Sequence, residues 1–375
     1  MLSGNLLAVF GLCATALAIP SQIPFSSIEL IKEIDTWALN PNGDAAVIRV
    51  KSGSQHELHL LAINAQFTVP SVSYDAANAQ ARYTFLNDQT ILTVSPTSEG
   101  QEGVWDLTTQ ILNSTTIPPA YPPSASKPNK LGGVILRSDL KELVHSAQAS
   151  VLTVVLPEDL VLIQVAQHEE GWAIKGEPQL VKHKNLKIEG VTSNGTHLAY
   201  SASNHTASFI YLFDLHDTSS SPVLLRHSTK SQLIAPTFGN DEHIAWLSDR
   251  QLWLSTGNDE WEVPLDFDLF PEKIIFSKDG KAIYLLAPHD DQQSLFHLWT
   301  PSKSATKPIA PVRIPSNGTI HSAIHVGTTP LDHAHLIGIK SDSAKGEGKE
   351  LWVISHSPHE DPTYNYENIR LTYFT

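Results

Sequence analysis

The stretch Glu272–Pro288 reads EKIIFSKDGKAIYLLAP, two apolar runs joined by a polar turn. Ile274 to Phe276 and Ala282 to Leu286 have the length and composition of strands. Asp279-Gly280 between them is a turn pair that folds such runs into a hairpin. A single hairpin cannot bury its apolar face alone. The decisive question is whether the unit recurs.

It does recur. LNPNGDAAVIRV (39–50) places Asn42-Gly43 before Ala45–Val50, and FLNDQTILTV (85–94) places Asn87-Asp88 before Ile91–Val94. GVTSNGTHLAYSA (190–202) and PTFGNDEHIAWLS (236–248) repeat the pattern with Asn194-Gly195 and Asn240-Asp241. The turns lie 45 residues apart from 42 to 87, 46 from 194 to 240, and 39 from 240 to 279. A further strand follows several of them: HELHLLAIN (56–64), GVWDLTT (103–109), FIYLFDLHD (209–217), RQLWLSTGND (250–259), LFHLWTPS (295–302) and KELWVISHS (349–357). SVLTVVLPEDLVLIQVA (150–166), turning at Pro157-Glu158-Asp159, fills the gap between 87 and 194, and HSAIHVGTTPLDHAHLIGIKS (321–341) supplies the last pair.

Repeats of this length, each a small antiparallel sheet, bury their faces against one another when arrayed radially, and closure of the ring protects their edges. The expected fold is therefore an all-β propeller of four-stranded antiparallel blades. Seven blades are expected, at roughly 35–80, 81–130, 131–185, 186–230, 231–270, 271–318 and 319–375, with six or eight as neighbouring counts. A two-sheet sandwich also accounts for many short strands but not for the spacing. The Pro/Ser-rich segment 113–133 reads as a long loop between blades. Ile28, Ile31 and Ile34 lie at helical spacing, in a short helix or a leading strand.

The first eighteen residues, MLSGNLLAVFGLCATALA, are uncharged and end on Ala16-Leu17-Ala18, a small-x-small cleavage site. They are expected to be a cleaved secretion signal, leaving one propeller domain over 19–375. They lack a basic start, so a buried helix or a short anchor are the alternatives. Cleavage would remove Cys13, the sole cysteine, and with it any thiolate chemistry or disulfide. Sequons at Asn113, Asn194, Asn204 and Asn317 fit a secreted, extracellular glycoprotein.

Thirty-nine acidic against 25 basic residues give a net charge of −14, which argues against nucleic acid and anionic membrane as partners. No Gly-x-Ser-x-Gly nucleophile elbow occurs, so no catalytic residue is assigned. Among 18 histidines the tight groups are His56/His59, His333/His335 and His289-Asp290-Asp291, without a metal-site spacing, so no metal or cofactor is expected. Asp266/Asp268 and Glu169/Glu170 are the carboxylate pairs a glycosidase reading would need. Trp246, Trp253, Trp299 and Trp352 are expected to wedge between blades. Trp172, Trp261, Tyr364 and Tyr366 are the aromatics expected nearer a recognition face.

FSKDGKAIYLL resembles the F-S-P-D-G-K hairpin of TolB-like propellers and of prolyl oligopeptidase family peptidases, with Lys278 where proline is usual. Asn40-Pro41-Asn42-Gly43-Asp44 and Thr192-Ser193-Asn194-Gly195-Thr196 are weaker copies, and a WD40-like Trp105-Asp106 occurs once. With VILRSDL (134–140), the layout is similar to the propeller of fungal secreted dipeptidyl-peptidase V-like members of that family. The resemblance implies a substrate-gating propeller that packs against an α/β-hydrolase domain not recognisable in this chain. The expected function is therefore non-catalytic, with a peptide, a hydrolase domain or another protein as partner. The alternatives are a fragmentary serine dipeptidyl peptidase and a propeller scaffold for protein partners.

Overall fold

The computed structural model describes residues 32–372, apart from 65–66, 69–71, 75–77, 98–100, 113–125, 170, 184, 240–242, 258, 266–268, 306, 317, 329–333, 342–347 and 357–365. The chain forms seven antiparallel sheets, each from consecutive strands, arranged as the seven blades of a β-propeller. The inner strands are Glu33–Leu39, Arg82–Phe85, Glu142–Ser146, Lys187–Ser193, Leu233–Phe238, Lys273–Phe276 and Thr319–Thr328. In blades 1 and 3 the fourth position is shared by two short strands, Phe67–Thr68 with Val72–Tyr74, and Gly171–Ile174 with Gln179–Lys182.

The hairpin of blade 6 shows why the sequence folds this way. Ser277 Oγ accepts the Ala282 amide at 2.9 Å and donates to Asp279 Oδ1 at 2.6 Å, while Gly280 takes φ +70°. The left-handed conformation favours glycine at that point. Asn40, Asn87 and Asn194 cap the corresponding turns of blades 1, 2 and 4, each Oδ1 accepting amides two to five residues on.

Beyond the turn, Ala282–Ala287 is buried on both faces. Ile283, Leu285 and Ala287 pack with blade 5, and Ala282, Tyr284 and Leu286 pack with blade 7. A strand sandwiched between neighbouring blades has two dry faces, which is why it reads as an unbroken apolar run. Blade 1 does the same, with Ala46, Ile48 and Val50 toward blade 7 and Val47 toward blade 2.

Most of the described buried apolar residues fall into seven clusters, one at each seam between adjacent blades. The seam between blades 7 and 1 closes the ring: Ile34, Ile48 and Leu61 pack with Ile337, Ile339 and Val353. No blade is shared between the two ends of the described chain, so closure depends on this packing and a few polar contacts.

Three expectations are corrected. The boundary between blades 2 and 3 lies after Ile135, because Asn129–Ile135 is the outer strand of blade 2. The Pro/Ser-rich segment accordingly lies within blade 2, joining its third and fourth strands, rather than between blades. Trp299 does not wedge between blades; it ends its strand 43% exposed, edge-on to His297. Trp246 is fully buried at the seam of blades 4 and 5 and stacks on the half-buried Trp253 at 6.5 Å. Trp352 is half-buried beneath the Lys340 ammonium. Ile34 is a buried strand residue rather than part of a helix.

Candidate functional site at the channel mouth

Sheet order puts the first strand of each blade innermost, and successive inner strands lie side by side around the axis. All seven therefore present their first residues at one mouth of the central channel. Five of those residues are charged: Glu33, Arg82, Glu142, Lys187 and Lys273, with Leu233 and Thr319 beginning the other two inner strands.

Arg82 and Lys273, with the neighbouring Lys141 and Glu189, also staple blade to blade. Arg82 Nε donates to the Lys141 carbonyl at 3.4 Å, and Lys141 Nζ donates to the carbonyls of Ile188 at 2.7 Å and Glu189 at 3.1 Å. Glu189 accepts from Ser203 Oγ at 2.7 Å and from Gln232 Nε2 of blade 5 at 3.5 Å. Lys273 Nζ of blade 6 reaches the His321 carbonyl of blade 7 at 3.4 Å. Long aliphatic stems let these cations span a seam while their heads stay at the opening.

The electrostatics are those of a confined space. Glu142 is exposed to solvent, yet desolvation raises its pKa, with Lys141 and then Lys273 pulling it back. Lys273 belongs to blade 6, so Glu142 of blade 3 feels a charge from across the axis. Desolvation lowers Lys141, with Lys187 adding to the effect, and it lowers Arg82, reinforced by Arg49. His321 is lowered by burial and then by Lys349. The mouth thus offers both cations and carboxylates, suited to the charges and amides of a peptide.

Sequence reasoning missed this ring because its members stand one per repeat, tens of residues apart. Aligning the first positions of the inner strands is the signal that finds it. The residues singled out from sequence lie elsewhere. His59 Nε2 meets Glu57 at 3.1 Å, His56 Nδ1 lies 3.4 Å from Asp35, and His289 pairs with Asp290 at 2.8 Å. Among the described residues no three His, Cys, Asp or Glu side chains group as a metal site requires. Trp172 and Trp261 pack against the seams of blades 2/3 and 5/6. Tyr366 begins the last strand. Asn194 is half-buried in an inner turn, and Asn204 is exposed in a hairpin. The signal segment, Asn113, Asn317, His333, Asp266, Asp268, Glu170 and Tyr364 lie outside the described residues.

Fold and mouth define a class: an all-β, seven-bladed propeller with a charged central opening. No protein-family profile and no curated protein matches the chain. Solved structures do. The chain resembles a Mycobacterium tuberculosis puromycin-hydrolyzing peptidase at 11% identity and TM-score 0.57, over 93% of this chain and 54% of that one. It resembles an acylaminoacyl peptidase, in complex with Z-Gly-Gly-Phe-chloromethyl ketone, at 8% identity and TM-score 0.55, over 93% and 53%. It also resembles KlAtg21, in complex with the coiled coil of AgAtg16, at 12% identity and TM-score 0.55, over 88% and 96%. The likeness is one of fold, and the chain spans about half the length of the two peptidases. Among the described residues no helix is long and apolar enough to cross a membrane.

Proposed function

We propose that the chain is a secreted, non-catalytic propeller that binds peptide or a protein partner at the charged mouth of its channel. The observation that carries this reading is the ring of Arg82, Lys141, Glu142, Lys187 and Lys273, gathered from blades 2, 3, 4 and 6 onto one opening. Propellers of the same fold occur in peptidases and in a coiled-coil complex, which supports a role in recognition.

The finer reading is a substrate-gating domain like that of dipeptidyl-peptidase V-like enzymes, acting with a hydrolase domain. The two peptidases that match over nearly all of this chain, with about half their own length left over, favour it. Lysine footprinting tests the site. A peptide pool should protect Lys141, Lys187 and Lys273 from acetylation and leave Lys230 unaffected. Uniform labelling would overturn the assignment to the mouth. Incubation with chromogenic dipeptide amides should give no turnover, and turnover by the purified chain would overturn the non-catalytic reading.

A further inference from the structure

A second surface stands apart from the channel. On the outer rim between blades 2 and 3 lies a groove of ≈ 330 Å³. Its floor is Val134, Leu156 and Val161, all buried. Ile135, 75% exposed, and Leu180, 37% exposed, form its walls. Two large apolar side chains left in water on either side of one cleft mark a binding surface more clearly than scattered ones do.

Gly133 lines the same groove. A Cβ there would make only ordinary contacts, the nearest being the Trp105 carbonyl at 3.6 Å, and its backbone is not left-handed. Neither conformation nor packing requires glycine at that point. Gly133 and its cross-strand partner Asp106 lie on the sheet face opposite Val134, so it is the backbone of Gly133 that borders the groove.

The charges at the rim choose the occupant. Arg137 is exposed and makes no ion pair among the described residues. Asp159 stands in the same lining and disfavours a carboxylate on its side. The volume is at the small end for a ligand pocket, suited to one or two side chains. We infer that this groove binds an extended peptide through a branched apolar side chain, with the carboxylate of an adjacent acidic residue held by Arg137. The site is independent of the channel mouth.

The test is panning a randomised octapeptide phage library on the full chain. The expected consensus is an aliphatic residue beside Asp or Glu. Ile135→Ser combined with Leu180→Ser should abolish enrichment of that consensus. Arg137→Glu should change the acidic position to Lys or Arg, an exchange that a merely structural role would not produce. Lys281→Glu, exposed in the blade 6 turn and part of neither site, should change nothing. An unchanged melting temperature checks that each variant is folded. Absence of a consensus, or one that survives the groove variants, overturns the proposal. Equal loss of the consensus peptide with Lys281→Glu also overturns it, while leaving the channel-mouth reading intact.

Discussion

The backbone amide of Ile34 donates a 2.9 Å hydrogen bond to the carbonyl of Lys349, fastening the first blade to the last. Gly43 completes the closure from the opposite end of the same inner hairpin. It takes φ +76°, and a Cβ there would lie 2.7 Å from Val326 Cγ1 of blade 7. Gly43→Ala should therefore destabilise the protein by about 2–3 kcal/mol, combining conformational strain with overpacking. Gly176 shares φ +76° and has nothing within 4 Å of its Cβ position. Gly176→Ala should cost about 1 kcal/mol, from strain alone. Urea melts of the two variants isolate the seam contact as their difference.

Lys278 explains a departure from the usual proline. Its amide donates to His325 Nδ1 of blade 7 at 3.2 Å, and its Nζ reaches the carbonyl of Pro41 in blade 1 at 2.9 Å. Proline supplies neither donor. Restoring it with Lys278→Pro should lower stability by about 1–3 kcal/mol, despite fitting the repeat better, as read from denaturant midpoints.

His325 makes this junction sensitive to acid. Burial pushes its imidazole down to about 4; Asp279 pulls back, and Lys278 and His335 add to the depression. Tyr284 stacks on it at 5.8 Å. Between the ordinary 6.5 and about 4 the unfolded chain binds a proton that the folded chain does not. The contribution is complete above pH 6.5 and is lost as pH falls toward 4. Stability should drop by about 2 kcal/mol from pH 7.5 to pH 5 through this group. His145, also depressed to about 4 by burial, adds a loss of the same sign. His325→Asn keeps an acceptor for Lys278 and does not titrate, so it should flatten part of the drop measured by urea melts at the two pH values.

Trp246 dominates the seam of blades 4 and 5, where, among the described residues, Ile210 and Leu233 join it in the buried cluster. Trp246→Ala should cost about 3–5 kcal/mol, measured by thermal or urea unfolding.

The fold was legible because the hairpin unit repeats and its second strands are dry on both faces, as Ala282–Ala287 shows. The outer strand of blade 2 was missed because NKLGGVI carries two glycines and weak strand character. Trp299 read as core because composition does not reveal which face of a strand-end residue meets a neighbour. The mouth was hidden for a different reason: its charges look like ordinary surface residues until the ring brings Glu142 and Lys273 to opposite sides of one channel.

The most direct test is fluorescence polarisation with a fluorescein-labelled casein digest, titrated with the full chain and with a Lys187→Glu plus Glu142→Lys variant. Neither side chain staples a seam through a described hydrogen bond, so the variant should fold normally. Binding to the wild-type chain and at least tenfold weaker binding to the variant are predicted. Equal binding by the two proteins, with the variant shown to be folded, would contradict the channel mouth as the site of recognition.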